Sequence, residues 1–246
     1  MTRQVNIFWT AGLDSSFRVV ELASAPGFVI QPWYVADPGR RSTPVEERRI
    51  REMTELIRSN PATQSELLDV RIVPLQDIPI DPDIRASFER INARQHVGKQ
   101  YLWLASFLRG RDLFAEVSSE APHERIGAAI QGECGLITLG VDVDRTLAAD
   151  PAASSEDGLR LFGRMLFPRR QWDLTKADEM RLMREWGYGD VFERTWFCHR
   201  PVLGMPCGHC DPCRAAREEG FGWRIPAASR YLYPFVRPFQ KIFKKR

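Results

Sequence analysis

Four cysteines, Cys198, Cys207, Cys210 and Cys213, stand in the run Cys-His-Arg-Pro-Val-Leu-Gly-Met-Pro-Cys-Gly-His-Cys-Asp-Pro-Cys. A C-x2-C-x2-C tail with one more thiol a short loop upstream supplies the sulfur shell of a structural zinc ion. Such a shell leaves no coordination position open, so the spacing predicts a metal that staples the fold and chemistry that lies elsewhere. A second group of residues, near the other end, could supply that chemistry. Thr10-Ala11-Gly12-Leu13-Asp14-Ser15-Ser16 follows the apolar run Val5 to Trp9 and precedes Phe17, Val19, Val20, Leu22 and Ala23. A turn of small residues between strand and helix gathers backbone N–H groups at a helix N-terminus, where the dipole favours phosphate. Asp14 is placed to hold magnesium and Ser15 to add a hydroxyl donor. The turn lacks the G-x-x-x-x-G-K-[ST] spacing, so it does not suggest P-loop phosphoryl transfer. The same residues also suit a plain strand-to-helix turn capped by Asp14 or Ser15.

Other candidates are single residues. His199 and His209 lie inside the cysteine loop, but four thiols complete a zinc shell, so both histidines are read as lying outside it. Cys134 is expected to be a buried thiol. Thr175-Lys176-Ala177-Asp178 reads as a capping-box start, and a cation so close to a helix N-terminus favours an anionic partner for Lys176. His96 and His123 have no partner placed by the sequence and are assigned no catalytic role.

Strands alternating with helices must position these groups. Val5 to Trp9, Phe28 to Val35, Val70 to Leu75 and Leu113 to Val117 read as strands. Pro44 to Arg58, Ala93 to Leu108 and the stretch from Thr175 to Trp186 read as helices, the last ended by Gly187. The expected fold class is α/β, a doubly wound parallel sheet with right-handed crossovers and a C-terminal four-cysteine zinc module. Ligands in such sheets sit at the carboxyl ends of strands, where Thr10 to Ser16 and Asp37 fall. The reading divides the chain into an α/β domain over 1–194, a zinc module over 195–223 and a basic aromatic tail over 224–246. A loop-rich insertion with one strand, at Leu136 to Val143, is expected near 118–158.

Composition sets the bounds. The chain has 246 residues, 43% hydrophobic and 27% charged, enough for a sizeable core. A formal net charge of +3 does not by itself argue for nucleic acid. Five cysteines, an odd number clustered in metal-type spacing, suit a reducing cytoplasmic compartment better than a disulfide scaffold. The first residues are too short an apolar stretch for a signal peptide, and no segment has the length to span a membrane. The tail interleaves aromatics with cations, as RNA-binding and membrane-surface segments do, and is read as packed aromatics with a solvated basic end.

Thr10 to Ser16 resembles the Ser-Gly-Gly-x-Asp-Ser pyrophosphate loop of the N-type ATP pyrophosphatases, the adenine nucleotide alpha-hydrolase-like superfamily. Within it, Cys198, Cys207, Cys210 and Cys213 resemble the zinc motif of the 7-cyano-7-deazaguanine synthase family of queuosine biosynthesis. Asp37-Pro38-Gly39-Arg40-Arg41 resembles that family's Asp-Tyr-Gly-Gln-Arg-His segment. Gly98-Lys99-Gln100 resembles its Pro-Gly-Arg-Asn segment. Leu174-Thr175-Lys176-Ala177 resembles the stretch whose lysine approaches pyrophosphate, and Thr195 to Cys198 resembles its Thr-x-x-Cys entry to the zinc site.

The resemblance implies a carbon-nitrogen ligase. ATP would bind at Thr10, Ala11, Gly12, Leu13, Asp14, Ser15, Ser16, Asp37 and Lys99, with Asp14, Ser15 and Lys176 catalytic. The enzyme would adenylate a small-molecule carboxylate, with 7-carboxy-7-deazaguanine as first guess, for attack by ammonia, and would form a homodimer. Departures from the pattern are Thr10 for the first serine, Ala11 for the first glycine, Arg217 one residue late, and no counterpart of the substrate segment between Glu116 and Gly158. Two rival readings are a tRNA sulfur transferase relying on Cys134 and a zinc-stapled nucleotide-binding adaptor without turnover.

Overall fold

A computed structural model describes residues 2–118, 125–229 and 231. His123 and the tail beyond Tyr231 lie outside the described residues. Strand β1, Arg3–Phe8, pairs in parallel with β2, Phe28–Ala36, from Arg3 opposite Phe28 to Phe8 opposite Trp33. Both are rich in β-branched and aromatic residues, which fit a pleated surface covered on both faces. Helix α1, Leu13–Ser24, crosses between them and is buried from Ser15 through Ala23.

Helix α2, Thr43–Ser59, follows with Pro44 in its first turn. Next come β3, Glu66–Leu67, and β4, Arg71–Pro74, both parallel to β2 on its outer side. The single helix expected over Ala93 to Leu108 is instead two, α3, Pro82–Arg94, and α4, Gln100–Gly110. Asp81 starts α3 by accepting hydrogen bonds from the amides of Asp83 and Ile84, with Pro82 in the first turn. The chain then breaks at Gln95, and Asn92 Oδ1 accepts from the Val97 amide to fix the bend.

The fourth expected strand is only β5, Ala115–Glu116. The stretch read as loops around one strand is more ordered than that. It carries α5, Arg125–Glu133, and the antiparallel hairpin of β6, Leu136–Leu139, and β7, Thr146–Ala149. Helix α6, Glu156–Phe162, and β8, Met165–Pro168, lead to α7, Lys176–Glu185, and α8, Gly189–Arg194. Thr175 and Asp178 form the expected capping box of α7, and Gly187 at φ +85° ends that helix region. Helix α9, Asp211–Glu218, begins within the cysteine run.

The sheet order is β3-β2-β1-β5-β8-β7-β6, with β4 also against β2. The α/β class and the mostly parallel sheet hold. The edge is the exception, because β7 runs antiparallel to both β8 and β6. Apolar clusters cover both faces: α1, α2, α7 and α8 pack Phe17, Ile50, Met183 and Phe192 on one, and α3 to α6 pack Ile91, Phe107, Ile130 and Phe162 on the other. All four cysteines of the quartet belong to the first cluster. No helix among the described residues is long and apolar enough to cross a membrane.

Candidate functional site

Sheet neighbours of β1 lie on opposite sides, with β2 reached by one crossover and β5 by later ones, so a crevice opens beyond the carboxyl ends of β1 and β5. The turn after β1 sits there. The Trp9 amide still donates to Trp33 O at 2.8 Å, and Ala11 then takes φ +59° before Gly12 caps α1 without a side chain. Thr10 and Ser15 close the turn on itself: the Thr10 amide donates to Ser15 Oγ at 3.3 Å, and the two hydroxyls lie 3.4 Å apart. Below it, Trp9 Nε1 donates to Ser16 Oγ at 2.9 Å.

Two cavities of about 390 and 360 Å3 flank this turn and share Thr10, Gly12, Asp14, Arg40 and Gln100. The first opens over the strand ends, between Phe8, Val35 and Val117, and also takes in Ser15 and Gly98. The second opens toward the cysteine run, between Leu13, Lys176, Trp196, Phe197 and Arg224.

The sequence-selected residues therefore divide. Thr10, Gly12, Leu13, Asp14, Ser15 and Lys176 line one or both cavities. Ser16, Ala11, Asp37 and Lys99 line neither. Ser16 is fully buried beneath the turn, where its hydroxyl meets Trp9 and Met53. Ala11 is also fully buried, its methyl in the core, and its carbonyl accepts from the Trp196 amide at 2.7 Å. The Asp37 carboxylate turns back to accept from the Gly39 amide at 2.8 Å, an Asx turn. Lys99 caps α4 with its backbone while its exposed side chain lies outside the lining. The neighbouring Arg40 and Gln100 line both cavities instead.

Behind Asp14 stands a buried carboxyl that the sequence reading missed. Glu179, on α7, is 3% exposed, and its Oε1 accepts from Gln171 Nε2 at 3.1 Å. Burial, then the charge and hydrogen bonding of Asp14, push Glu179 well above the usual carboxylate range. Gln171 also donates to the Asp14 carbonyl at 2.6 Å, tying the first turn of α1 to α7. Glu179 lies three residues beyond Lys176, a helical spacing that places both on neighbouring turns.

A second buried polar cluster anchors α1 from below. Arg18 is 1% exposed and grips Glu116 through Nε at 2.6 Å and Nη2 at 2.7 Å, while Nη1 donates to Glu21 at 2.7 Å and Val143 O at 2.6 Å. Burial alone would lower its pKa, and the two carboxylates reverse this and raise it.

The cysteine quartet is fully formed. The four Sγ atoms lie within 4.8 Å of one another, and three pairs stand 3.4, 3.8 and 3.9 Å apart. Tetrahedral zinc at about 2.3 Å from each sulfur requires edges of about 3.8 Å, so the donor set fits a metal ion such as zinc. Backbone amides point at the sulfurs: Cys207 N reaches Cys198 Sγ at 3.1 Å, and Cys210 N and His209 N reach Cys207 Sγ at 3.3 and 3.4 Å. Contacts from the other three cysteines, with the His209 amide, hold the Cys207 thiol far below its ordinary value. Gly208 at φ +77° permits that knuckle. A bridge between Val202 and Met205 closes the loop between the first two ligands, with Leu203 at φ +50° and Gly204 at φ +76°. Among the described residues, these four thiols are the group of donors close enough to hold a metal, and both histidines of the run are exposed. No protein-family model matches the chain, and no curated protein matches it in sequence.

Proposed function

We propose that this protein is an ATP-dependent carbon-nitrogen ligase of the ATP pyrophosphatase type, similar in reaction to 7-cyano-7-deazaguanine synthase. The observation that carries the reading is the Thr10 to Ser15 turn, set at the switch point of the sheet and shared by two cavities. One cavity suits a nucleotide and the other an acceptor, so the two reactants would meet at Thr10, Gly12 and Asp14.

In this reaction an acceptor carboxylate oxygen attacks the alpha-phosphorus of ATP and pyrophosphate leaves. Ammonia then attacks the acyl carbon and AMP departs, giving the amide. In a second cycle the amide oxygen is adenylated and lost with AMP, giving the nitrile. The chain's own contribution would be orientation and charge: N–H groups at the start of α1 and the Thr10 and Ser15 hydroxyls would meet the phosphates, and Lys176, paired with Glu219 at 2.9 Å, would turn to them from the edge of the second cavity. Asp14, backed by Glu179, would hold magnesium, which neutralises phosphate charge when bound. Cys198, Cys207, Cys210 and Cys213 would hold zinc in a closed shell, which contributes folding free energy. The Trp196 amide on Ala11 O links that module to the turn.

Sulfur transfer is the weaker reading. Cys134 is 4% exposed, and burial pushes its thiol up to about 11, the opposite of an activated nucleophile. Its side chain lines neither cavity.

The test is pyrophosphate release from ATP and magnesium, with ammonium and with 7-carboxy-7-deazaguanine present or absent. Asp14→Ala and Gly12→Ala serve as controls. A methyl on Gly12 would meet Thr10 Oγ1 at 3.4 Å and Ser15 Oγ at 3.8 Å, ordinary contacts that leave the fold intact while crowding the turn. Release that needs the deazapurine and Asp14 supports the synthase reading. Release without the deazapurine points to another acceptor, and ATP binding without release identifies an adaptor.

A further inference from the structure

The left-handed residue of the turn after β1 and the first ligand of the cysteine module are joined through one tryptophan. Ala11 stands at φ +59° and is fully buried. A Cβ makes that backbone shape costly, so it persists where the surroundings hold it. Inside the turn, the Thr10 amide donates to Ser15 Oγ at 3.3 Å and the Ser16 amide to Gly12 O at 3.0 Å, on either side of Ala11. At Ala11 itself the hold comes from far along the chain: its carbonyl accepts from the Trp196 amide at 2.7 Å.

Trp196 is held by the module in turn. Its indole Nε1 donates to the Cys198 carbonyl at 2.7 Å, and its ring, 6% exposed, lies 6.4 Å from that of Phe197 at 24°. Thr195, one residue earlier, is pinned twice: its amide donates to Phe192 O at 3.0 Å, and its carbonyl accepts from Arg224 Nη2 at 2.6 Å. Cys198 Sγ receives the amides of Arg200 and Cys207 at 3.4 and 3.1 Å and stands 3.8 Å from Cys210 Sγ. A metal bonded to all four sulfurs fixes that place, whereas free thiols offer one another weak S–H contacts. Ala11, Trp196 and Cys198 all belong to one apolar cluster, so both hydrogen bonds run through dry surroundings, where they hold geometry well.

We propose that Trp196 is a positioning residue: through the carbonyls of Cys198 and Ala11 it carries the rigidity that metal gives the quartet to the left-handed residue of the Thr10 to Ser15 turn. A loaded module then keeps that turn in shape, and loss of metal loosens it. That this shape serves phosphate rests on the ligase reading above; the coupling of module to turn does not.

The experiment combines hydrogen exchange of the full chain, read by mass spectrometry without ligand, with titration of ATP and magnesium. Residues 9–16 are followed, and helix α3, Pro82–Arg94, in the cluster on the other face of the sheet, is the reference. Zinc-loaded Trp196→Phe keeps a ring and the backbone amide but loses Nε1. It should retain its zinc, exchange at least about fivefold faster than wild type over 9–16, and match wild type over α3. Stripping zinc from the wild-type chain with a chelator should speed 9–16 by at least as much, ahead of α3. ATP affinity should fall by about fivefold or more in Trp196→Phe.

Trp196 also lines the second cavity, so a lost contact with ligand could lower affinity too. Ala11→Gly separates the two causes, because glycine adopts a positive φ without the Cβ penalty. Trp196→Phe introduced into Ala11→Gly should change exchange over 9–16 and ATP affinity by about twofold or less. A lost ligand or packing contact would act equally with and without Ala11→Gly, and that result overturns the proposal. Unchanged exchange over 9–16 in zinc-loaded Trp196→Phe also overturns it. If stripping unfolds the whole chain, so that α3 exchanges as fast as 9–16, the zinc-loaded comparisons decide. The expected exchange in a chain that binds no ATP would uphold the coupling and sink the ligase reading instead.

Discussion

Removing Arg18 should unfold the platform on which the site stands, by an amount set by its buried partners. Arg18→Met strands Glu116, which is 1% exposed and loses two bonds of 2.6 and 2.7 Å. Glu21, also 1% exposed, keeps Arg170 at 3.1 Å as its one cationic partner among the described residues. The Val143 carbonyl loses its 2.6 Å donor. Breaking a buried pair from one side costs about 3–5 kcal/mol, because the remaining charge has no compensation. A central value of about 4 kcal/mol corresponds to roughly a thousandfold in the folding equilibrium. Arg18→Met with Glu116→Met removes one charge of each sign and leaves Glu21 with Arg170, so the residual cost is the orphaned Val143 carbonyl, about 1 kcal/mol. Urea unfolding followed by tryptophan fluorescence measures both.

A loss below about 1 kcal/mol for Arg18→Met, or a double variant no more stable than the single, would refute the argument that charge compensation holds this cluster together.

Further predictions concern the metal, a strained turn and the carboxyl behind Asp14. Cys210→Ser should lower zinc content and melting temperature together; unchanged values of both would refute a four-thiol structural site. Leu203 is 82% exposed and sits at φ +50°, so Leu203→Asn sacrifices little burial and relieves part of a left-handed strain of about 1–2 kcal/mol. A rise of about 2 °C in melting temperature is expected, and a fall would count against the strain argument. Glu179 is held neutral when folded by burial and by Asp14, while the unfolded chain releases that proton in the ordinary carboxylate range. Wild-type stability should therefore fall relative to Glu179→Gln as pH rises above that range, and the advantage of Glu179→Gln should be larger at about pH 8 than at about pH 4. Equal differences at both pH values would show that Glu179 is charged in the folded state.

Local spacing made some of this protein legible from its sequence alone. Cys198, Cys207, Cys210 and Cys213 could be paired with a metal because their ligand geometry is set by a few residues of chain, and Gly208 supplies the turn within it. The turn from Thr10 to Ser15 was legible for the same reason: an apolar strand, small residues and an amphipathic helix follow one another directly. The capping box of Thr175 and Asp178 is likewise local.

Tertiary structure alone decided what surrounds them. Arg18 meets Glu116 across 98 positions, Gln171 meets Asp14 across 157, and Trp196 reaches Ala11 from the far end of the chain. No periodicity encodes such pairs, since their contact energy depends on which elements the sheet brings side by side. Arg224 looked like the first residue of a basic tail and instead lines a cavity with Phe197, because Phe192 and the Thr195 carbonyl draw it in. Asp37 and Lys99 matched a motif by residue type, yet a local hydrogen bond turned one carboxylate away and the start of α4 carried the other side chain outward. The sheet edge was decided the same way: Leu136 to Val143 reads as one strand, and only the pairing of β6 with β7 and of β7 with β8 makes the segment an antiparallel edge.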